Sequence, residues 1–186
     1  MDSFEKLVSE MLWMDGLWVQ TSVKVKLTDD DKVEIGNAST PTGHELDIVA
    51  YSGRDNLLKV VECKSFLDSP GVTSGALTDT DHKDASRYKL FTKPTLRRVV
   101  FNRLRVQFTG LGLCAPDPEI RLCLACGHIR SNTDRLELQK IFSNERWELL
   151  DEDWLHKHLK KMSEPKQGHE NQVSFVVAKL LRNKPL

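Results

Sequence analysis

Gly43-His44-Glu45-Leu46-Asp47-Ile48-Val49-Ala50-Tyr51, a break at Ser52-Gly53-Arg54-Asp55-Asn56, and Leu57-Leu58-Lys59-Val60-Val61-Glu62-Cys63-Lys64-Ser65 decide how this chain folds. Both flanks are short and rich in β-branched residues, and the break is made of turn formers, so the stretch predicts a β-hairpin. With Gly53 to Asn56 as the loop, a common hairpin length, Ser52 faces Leu57, Val49 faces Val60 and Asp47 faces Glu62. Side chains alternate across a sheet, which puts Asp47, Glu62 and Lys64 on one face. Two carboxylates opposed in this way sit about 5 Å apart at Cβ and repel. Their neighbours Ile48, Val49, Val60 and Val61 indicate largely buried strands, where that repulsion is poorly screened. A divalent cation between the two reverses the sign of the interaction, and magnesium takes hard carboxylate oxygens. Lys64, about 7 Å from Glu62 along the strand, is within reach of a water or phosphate oxygen there. The same register sets Glu45 opposite Lys64, so a cross-strand ion pair with Asp47 at a solvated strand end accounts for these residues equally well.

An acid ending one strand followed by Glu-x-Lys on the next resembles the PD-(D/E)XK nuclease superfamily. The first motif reads Glu45-Leu46-Asp47-Ile48-Val49-Ala50 and the second Val61-Glu62-Cys63-Lys64-Ser65, with an amphipathic helix beginning Ser3-Phe4-Glu5-Lys6-Leu7-Val8 ahead of both. This order is most similar to the branch of archaeal Holliday-junction resolvases and type IV (Mrr-like) restriction enzymes. It covers roughly residues 1–126, and Leu46 stands where the family usually has proline. The resemblance implies an α/β, restriction endonuclease-like core, a mixed sheet flanked by helices, and a metal-dependent endonuclease acting on DNA rather than RNA. It implies Asp47, Glu62 and the backbone carbonyl of Cys63 as ligands of Mg2+ or Mn2+, with Lys64 as the third catalytic residue. Glu5 becomes a further candidate ligand and Ser65 a supporting residue, and family members often work as homodimers. The rival expectation is a catalytically inactive module of the same fold that binds nucleic acid or a protein.

The chain of 186 residues carries 27 Lys and Arg against 27 Asp and Glu. Zero net charge means that any nucleic-acid surface must be local. No apolar run approaches a membrane span, the acidic start at Asp2 and Glu5 is unlike a secretory signal, and the four cysteines lie among apolar residues. These features lead to the expectation of a cytoplasmic protein with reduced thiols. One domain over 1–186 is expected, with the nuclease-like core at 1–126 and an α/β C-terminal extension at 127–186 packed on it.

The local basic surface lies after the hairpin. Lys83 to Arg105 holds eight basic residues, among them Lys83, Arg87, Lys93, Arg97 and Arg98, against the single acid Asp84. Pro94 suits a helix first turn, and Leu96, Val99, Val100, Leu104 and Phe108 give that helix an apolar stripe. The five basic residues named are the candidate nucleic-acid contacts; pairing with acids elsewhere in the fold is the alternative. Between hairpin and helix, Asp68 to Ala85 reads as a long loop, often a functional feature, with His82 as a candidate phosphate or water contact.

Elsewhere the pattern predicts a helix over 3–14 capped by Ser3, a strand over 17–27, a turn with a short strand around Lys32–Ile35, and Asp29 to Asp31 as a solvated acidic turn. A buried strand is expected over 120–127, a helix from Asn132, a strand at 147–150, a helix capped by Asp151, a break at 165–168 and a final amphipathic helix. Cys123 and Cys126 form C-x-x-C inside the apolar run and read as packing thiols. A thiol-bound metal needs partners beyond Cys114 and His128.

Overall fold

The computed structural model describes residues 2–36, 43–79, 81–164 and 172–183. Five strands, β1 (Trp18–Lys26), β2 (Gly43–Ser52), β3 (Leu57–Lys64), β4 (Glu119–Cys126) and β5 (Glu148–Leu150), form one open sheet in the order β1-β2-β3-β4-β5. The first three run as an antiparallel meander, and β4 and β5 continue it in parallel. Parallel neighbours need a crossover; here α5 (Pro94–Gly110) lies between β3 and β4, and α6 (Asn132–Glu145) between β4 and β5. Val100, Leu104 and Phe108 of α5 and Leu138 and Phe142 of α6 bury one face of the sheet with Val49, Val60, Leu122 and Leu124. The opposite face, with Ile48, Val61, Cys123 and Ala125, is covered by α1 (Ser3–Met14), α7 (Glu152–Ser163) and α8 (Val173–Asn183). Cover on both faces explains why β4 is apolar without a break from Leu122 to Cys126. Cys123 and Cys126 fall on opposite faces of β4 and are free, buried thiols. Burial pushes both thiols well up from their ordinary range, so they pack rather than react.

The hairpin has the expected register, with Ser52 opposite Leu57 and Val49 opposite Val60, but the ladder ends at Ile48 opposite Val61. Asp47 and Glu62 are therefore not a ladder pair. The reason lies in β1. Its register with β2 skips Ser22, which stands opposite Asp47 and has a φ of 51°. Val23 and Leu46 pack on the α5 face, whereas Val19 and Ile48 pack on the α1 face. Alternation alone would keep each strand's two residues on one face, so both strands change face at Ser22 and Asp47. The Asp47 carboxylate then accepts the Cys63 N–H at 2.8 Å, and β2 parts from β3 at this point.

Three local expectations are corrected. Residues 29–34 form a helix, α2 (Asp29–Glu34), and not a turn with a strand. Thr28 and Asp31 make a reciprocal capping box, and three acids in the first turn suit the helix dipole. Asp31 is buried and pairs with Arg103 at 2.6 Å; that bond holds its carboxyl down at about 2. In α1 the N-cap is Asp2, not Ser3, because Glu5 closes a capping box with it at 2.8 and 3.2 Å. The stretch 68–85 is not an unstructured loop. It contains α3 (Gly75–Thr78) and runs into a 3-10 turn (Ala85–Arg87) followed by α4 (Lys89–Thr92). The expected break at 165–168 lies outside the described residues. Among those residues no helix is long and apolar enough to cross a membrane.

The 66–88 segment is fixed from behind by α6. Asp134, almost fully buried, accepts from the Ser74 N–H at 3.0 Å, the Ser74 hydroxyl at 3.1 Å and the Arg130 guanidinium at 3.1 and 3.3 Å. Burial disfavours its charge, yet the hydrogen bonds from Ser131, Ser74 and Arg130 outweigh burial and lower its pKa. Asp134→Ala strands a buried N–H and is expected to cost about 1–3 kcal/mol in urea unfolding, with faster amide exchange at Val72 and Ser74. The Asp134 contribution is present above its ordinary carboxylate range and is lost as pH falls through the lowered value. The wild-type advantage should therefore shrink below about pH 4; an equal midpoint for both proteins at pH 7 contradicts the assignment.

Candidate metal centre

Where β2 parts from β3, a cleft of about 320 Å³ opens over the C-terminal end of β3. Its walls include Glu5 and Asp2 from the start of α1, Asp47 from β2, Lys64 from the end of β3 and Ser65 just after it, and Arg87 from the 3-10 turn. The carboxyl end of the strands is where open α/β sheets place ligands. Glu62 is not in the cleft wall. It lies one pleat back, 13% exposed, and accepts from the Lys64 ammonium at 3.3 Å. Lys64 thus connects the cleft to this partly buried acid.

The electrostatics of this corner are those of crowded acids with limited counter-charge. Burial raises the pKa of Glu62; the Lys64 charge lowers it in part, and the Asp47 carboxylate raises it further. Asp47 and Glu62 therefore share one electrostatic environment although they are not a ladder pair. The Cys63 side chain packs on the α1 face, and burial, with the Asp47 charge second, pushes its thiol far up. That thiol is no nucleophile, and only the Cys63 backbone carbonyl remains as a candidate ligand. Glu5 lines the cleft, and its carboxylate closes the α1 capping box. Sequence reasoning gave no role to His44, whose pKa is lowered by burial and by the Lys89 charge while Asp47 opposes the shift. It read Lys89 only as part of the basic stretch, although Lys89 also acts on Glu62. The sequence set Lys89 close to Arg87 but did not say which face it takes.

Among the described residues no three His, Cys, Asp or Glu side chains are placed to hold a metal together. The donor chemistry, two carboxylates and a carbonyl, fits a small hard cation that keeps most of its water shell, as magnesium does. It does not fit a caged zinc or calcium site.

The five basic residues divide into two groups. Arg87 is in the cleft wall, Lys83 lines an adjoining cleft, and Lys93 is exposed at the start of α5. Arg97 instead turns inward. It donates to the carbonyls of Leu90 and Phe91 at 2.9 and 3.1 Å and lies 5.0 Å from the centre of the Trp147 ring. Arg98 pairs with Glu34 of α2. Glu34, expected in a short strand, and Asp31, expected in a solvated turn, thus partner part of the basic helix. His82 accepts the Asp84 N–H at 3.1 Å and lines the adjoining cleft with Lys83.

No family model, no curated protein and no solved structure matches this chain.

Proposed function

We propose that this chain is a metal-dependent endonuclease of restriction endonuclease-like fold that hydrolyses phosphodiester bonds, in DNA rather than RNA. One observation carries the reading: Asp47 and Lys64 line one cleft at the divergent end of the hairpin, and Lys64 donates to Glu62, which lies one pleat back and is only slightly exposed. Helices on both faces of a mixed sheet, with a helix leading into the meander, agree with the fold that the resemblance implies.

Asp47, Glu62 and the Cys63 carbonyl would hold magnesium or manganese, which supplies Lewis acidity to a water and to the scissile phosphate. The chain's own groups do the rest. The Lys64 ammonium, which lines the cleft and donates to Glu62 behind it, would donate to a phosphate oxygen as negative charge builds on it. Arg87, also in the cleft wall, would position the backbone through a second phosphate. Asp47 fixes the spread of the two strands through the Cys63 N–H, and so sets where Lys64 points.

The test is purified protein on plasmid, single-stranded and branched DNA and on RNA, with magnesium, with manganese and with chelator. Metal-dependent cleavage supports the reading; intact substrate under every condition sinks it. A second reading has an observation in its favour. Lys64 satisfies Glu62, and the Cys63 N–H satisfies Asp47, without any cation. A non-catalytic module that binds nucleic acid would look the same. Such a module binds in chelator, with unchanged affinity in Glu62→Ala.

A further inference from the structure

Beside the candidate metal centre lies a second cleft of about 270 Å³, and the two share Phe66 and Arg87 in their walls. Phe66 follows directly on Lys64 and Ser65 and adopts a φ of 43°. That left-handed conformation is unfavourable for a bulky residue and persists only where the surroundings impose it, commonly at ligand sites. Here the strained backbone turns the ring to the boundary between the clefts, where the Arg87 guanidinium lies over it at 4.9 Å. The Arg87 side chain is 54% exposed, and Asp84 approaches one of its nitrogens at 3.8 Å, so the guanidinium face away from the ring is open.

The second cleft is built rather than incidental. Gly71 has a φ of +91°, and a Cβ there would meet His128 Cδ2 at 2.8 Å and the Arg130 nitrogen at 2.9 Å. This close approach lets Val72 bridge in parallel to Ile129, with the Val72 N–H donating to the His128 carbonyl at 2.9 Å. Asp134 holds the same segment through Ser74. Lys83 and His82 stand on the other wall. The volume suits a single base, and the charged rim suits the phosphate that joins it to the next nucleotide.

We infer that the Phe66–Arg87 stack is a docking platform for one unpaired nucleotide next to the phosphate at the metal centre. This rests on the nuclease reading and narrows its substrate to nucleic acid with an unpaired nucleotide at the cut: a single strand, a flap or a bulge. A base offers its π-face to an arginine plane or an aromatic ring only when it is free of its neighbours. A base inside a continuous duplex must first be unstacked, at a free-energy cost that a bulged or single-stranded base avoids.

The experiment measures fluorescence anisotropy with the full chain carrying Asp47→Asn to prevent cleavage, in magnesium. The probes are a continuous DNA duplex, the same duplex with one bulged nucleotide, and a single strand. The bulged and single-stranded probes are expected to bind more tightly than the duplex by about 10-fold, the scale of one stacked base. Adding Phe66→Leu, which keeps an apolar side chain and removes the ring, should erase that preference and leave the salt dependence unchanged. Adding Arg87→Gln, which removes the open face of the stack, should also erase the preference, and in addition weaken all probes and lower the salt slope by about one phosphate contact. Equal affinity for all three probes, or a preference that survives Phe66→Leu, overturns the inference while leaving the nuclease reading in place. Failure to bind any probe, together with no cleavage by the wild-type chain, overturns both.

Discussion

Asp47→Asn and Lys64→Ala proteins are expected to fold normally and to lose metal-dependent cleavage by about 10³-fold or more. Both residues lie on strands whose apolar faces are buried independently of them, by Ile48 and Val49 on β2 and by Val60 and Val61 on β3. A bound cation and a positioned ammonium are each expected to supply several kcal/mol to charge building on the phosphate, and about 4 kcal/mol of barrier is a factor of about 10³. The two variants should nevertheless differ in kind. Asp47→Asn removes a ligand charge, so raising the metal concentration should recover part of the rate. Lys64→Ala leaves both acids in place and removes the bond to Glu62 at 3.3 Å, so extra metal should not restore it. In Asp47→Asn the amide oxygen of the new side chain can still accept the Cys63 N–H, so that protein should show an unchanged unfolding midpoint in chelator. Retention of wild-type turnover by either protein removes the assignment of that residue.

Magnesium or manganese is expected to raise the unfolding temperature of the wild-type protein by about 5–10 °C at a concentration near 100 Kd. That follows from about 2.7 kcal/mol of linkage and about 2–4 °C per kcal/mol in a chain of this size. The Kd itself reflects the state of Glu62. Burial raises its pKa despite the Lys64 ammonium, so without metal its ionised form costs stability. The sign follows from that direction: an acid with a raised folded pKa adds stability at low pH and loses that advantage as pH climbs from its ordinary value through the raised one. In chelator, wild-type stability should therefore fall relative to Glu62→Gln as pH rises from about 4 toward neutrality. At neutral pH Glu62→Gln should be at least as stable as wild type, and it should show little response to metal. A Glu62→Gln protein that is less stable in chelator, yet still gains the full metal shift, contradicts the role given to Glu62.

Much of this corner was legible in the residues. The loop Gly53 to Asn56 set the hairpin register, which the structure has from Ser52 opposite Leu57 to Ile48 opposite Val61. The strand expected over 120–127 is β4, buried from Leu122 to Cys126, and Pro94 opens α5. What could not be read is the single irregularity that shapes the site. A change of face at Ser22 and Asp47 leaves no compositional trace, since Thr21-Ser22-Val23 and Leu46-Asp47-Ile48 are ordinary strand sequences. The helix Asp29–Glu34 was missed because Val33 and Ile35 alternate as in a strand, whereas the Thr28–Asp31 capping box decided the outcome. The same miss hid the partners of the basic helix: with α2 placed, Arg98 meets Glu34 and Arg103 meets Asp31. Arg87 and Lys89 act on the site because the 3-10 turn and α4 bring them there, and nothing in a loop of mixed composition encodes that turn.

Crystals grown with manganese, with data collected for its anomalous scattering, test the central claim most directly. The expected result is an anomalous peak in the cleft between β2 and β3 that touches the Asp47 carboxylate, with the Glu62 carboxylate swung from Lys64 into contact with it, and that is lost in Asp47→Asn crystals. A peak that touches neither acid, or a fully occupied manganese site elsewhere with Lys64 still bonded to Glu62, would contradict it.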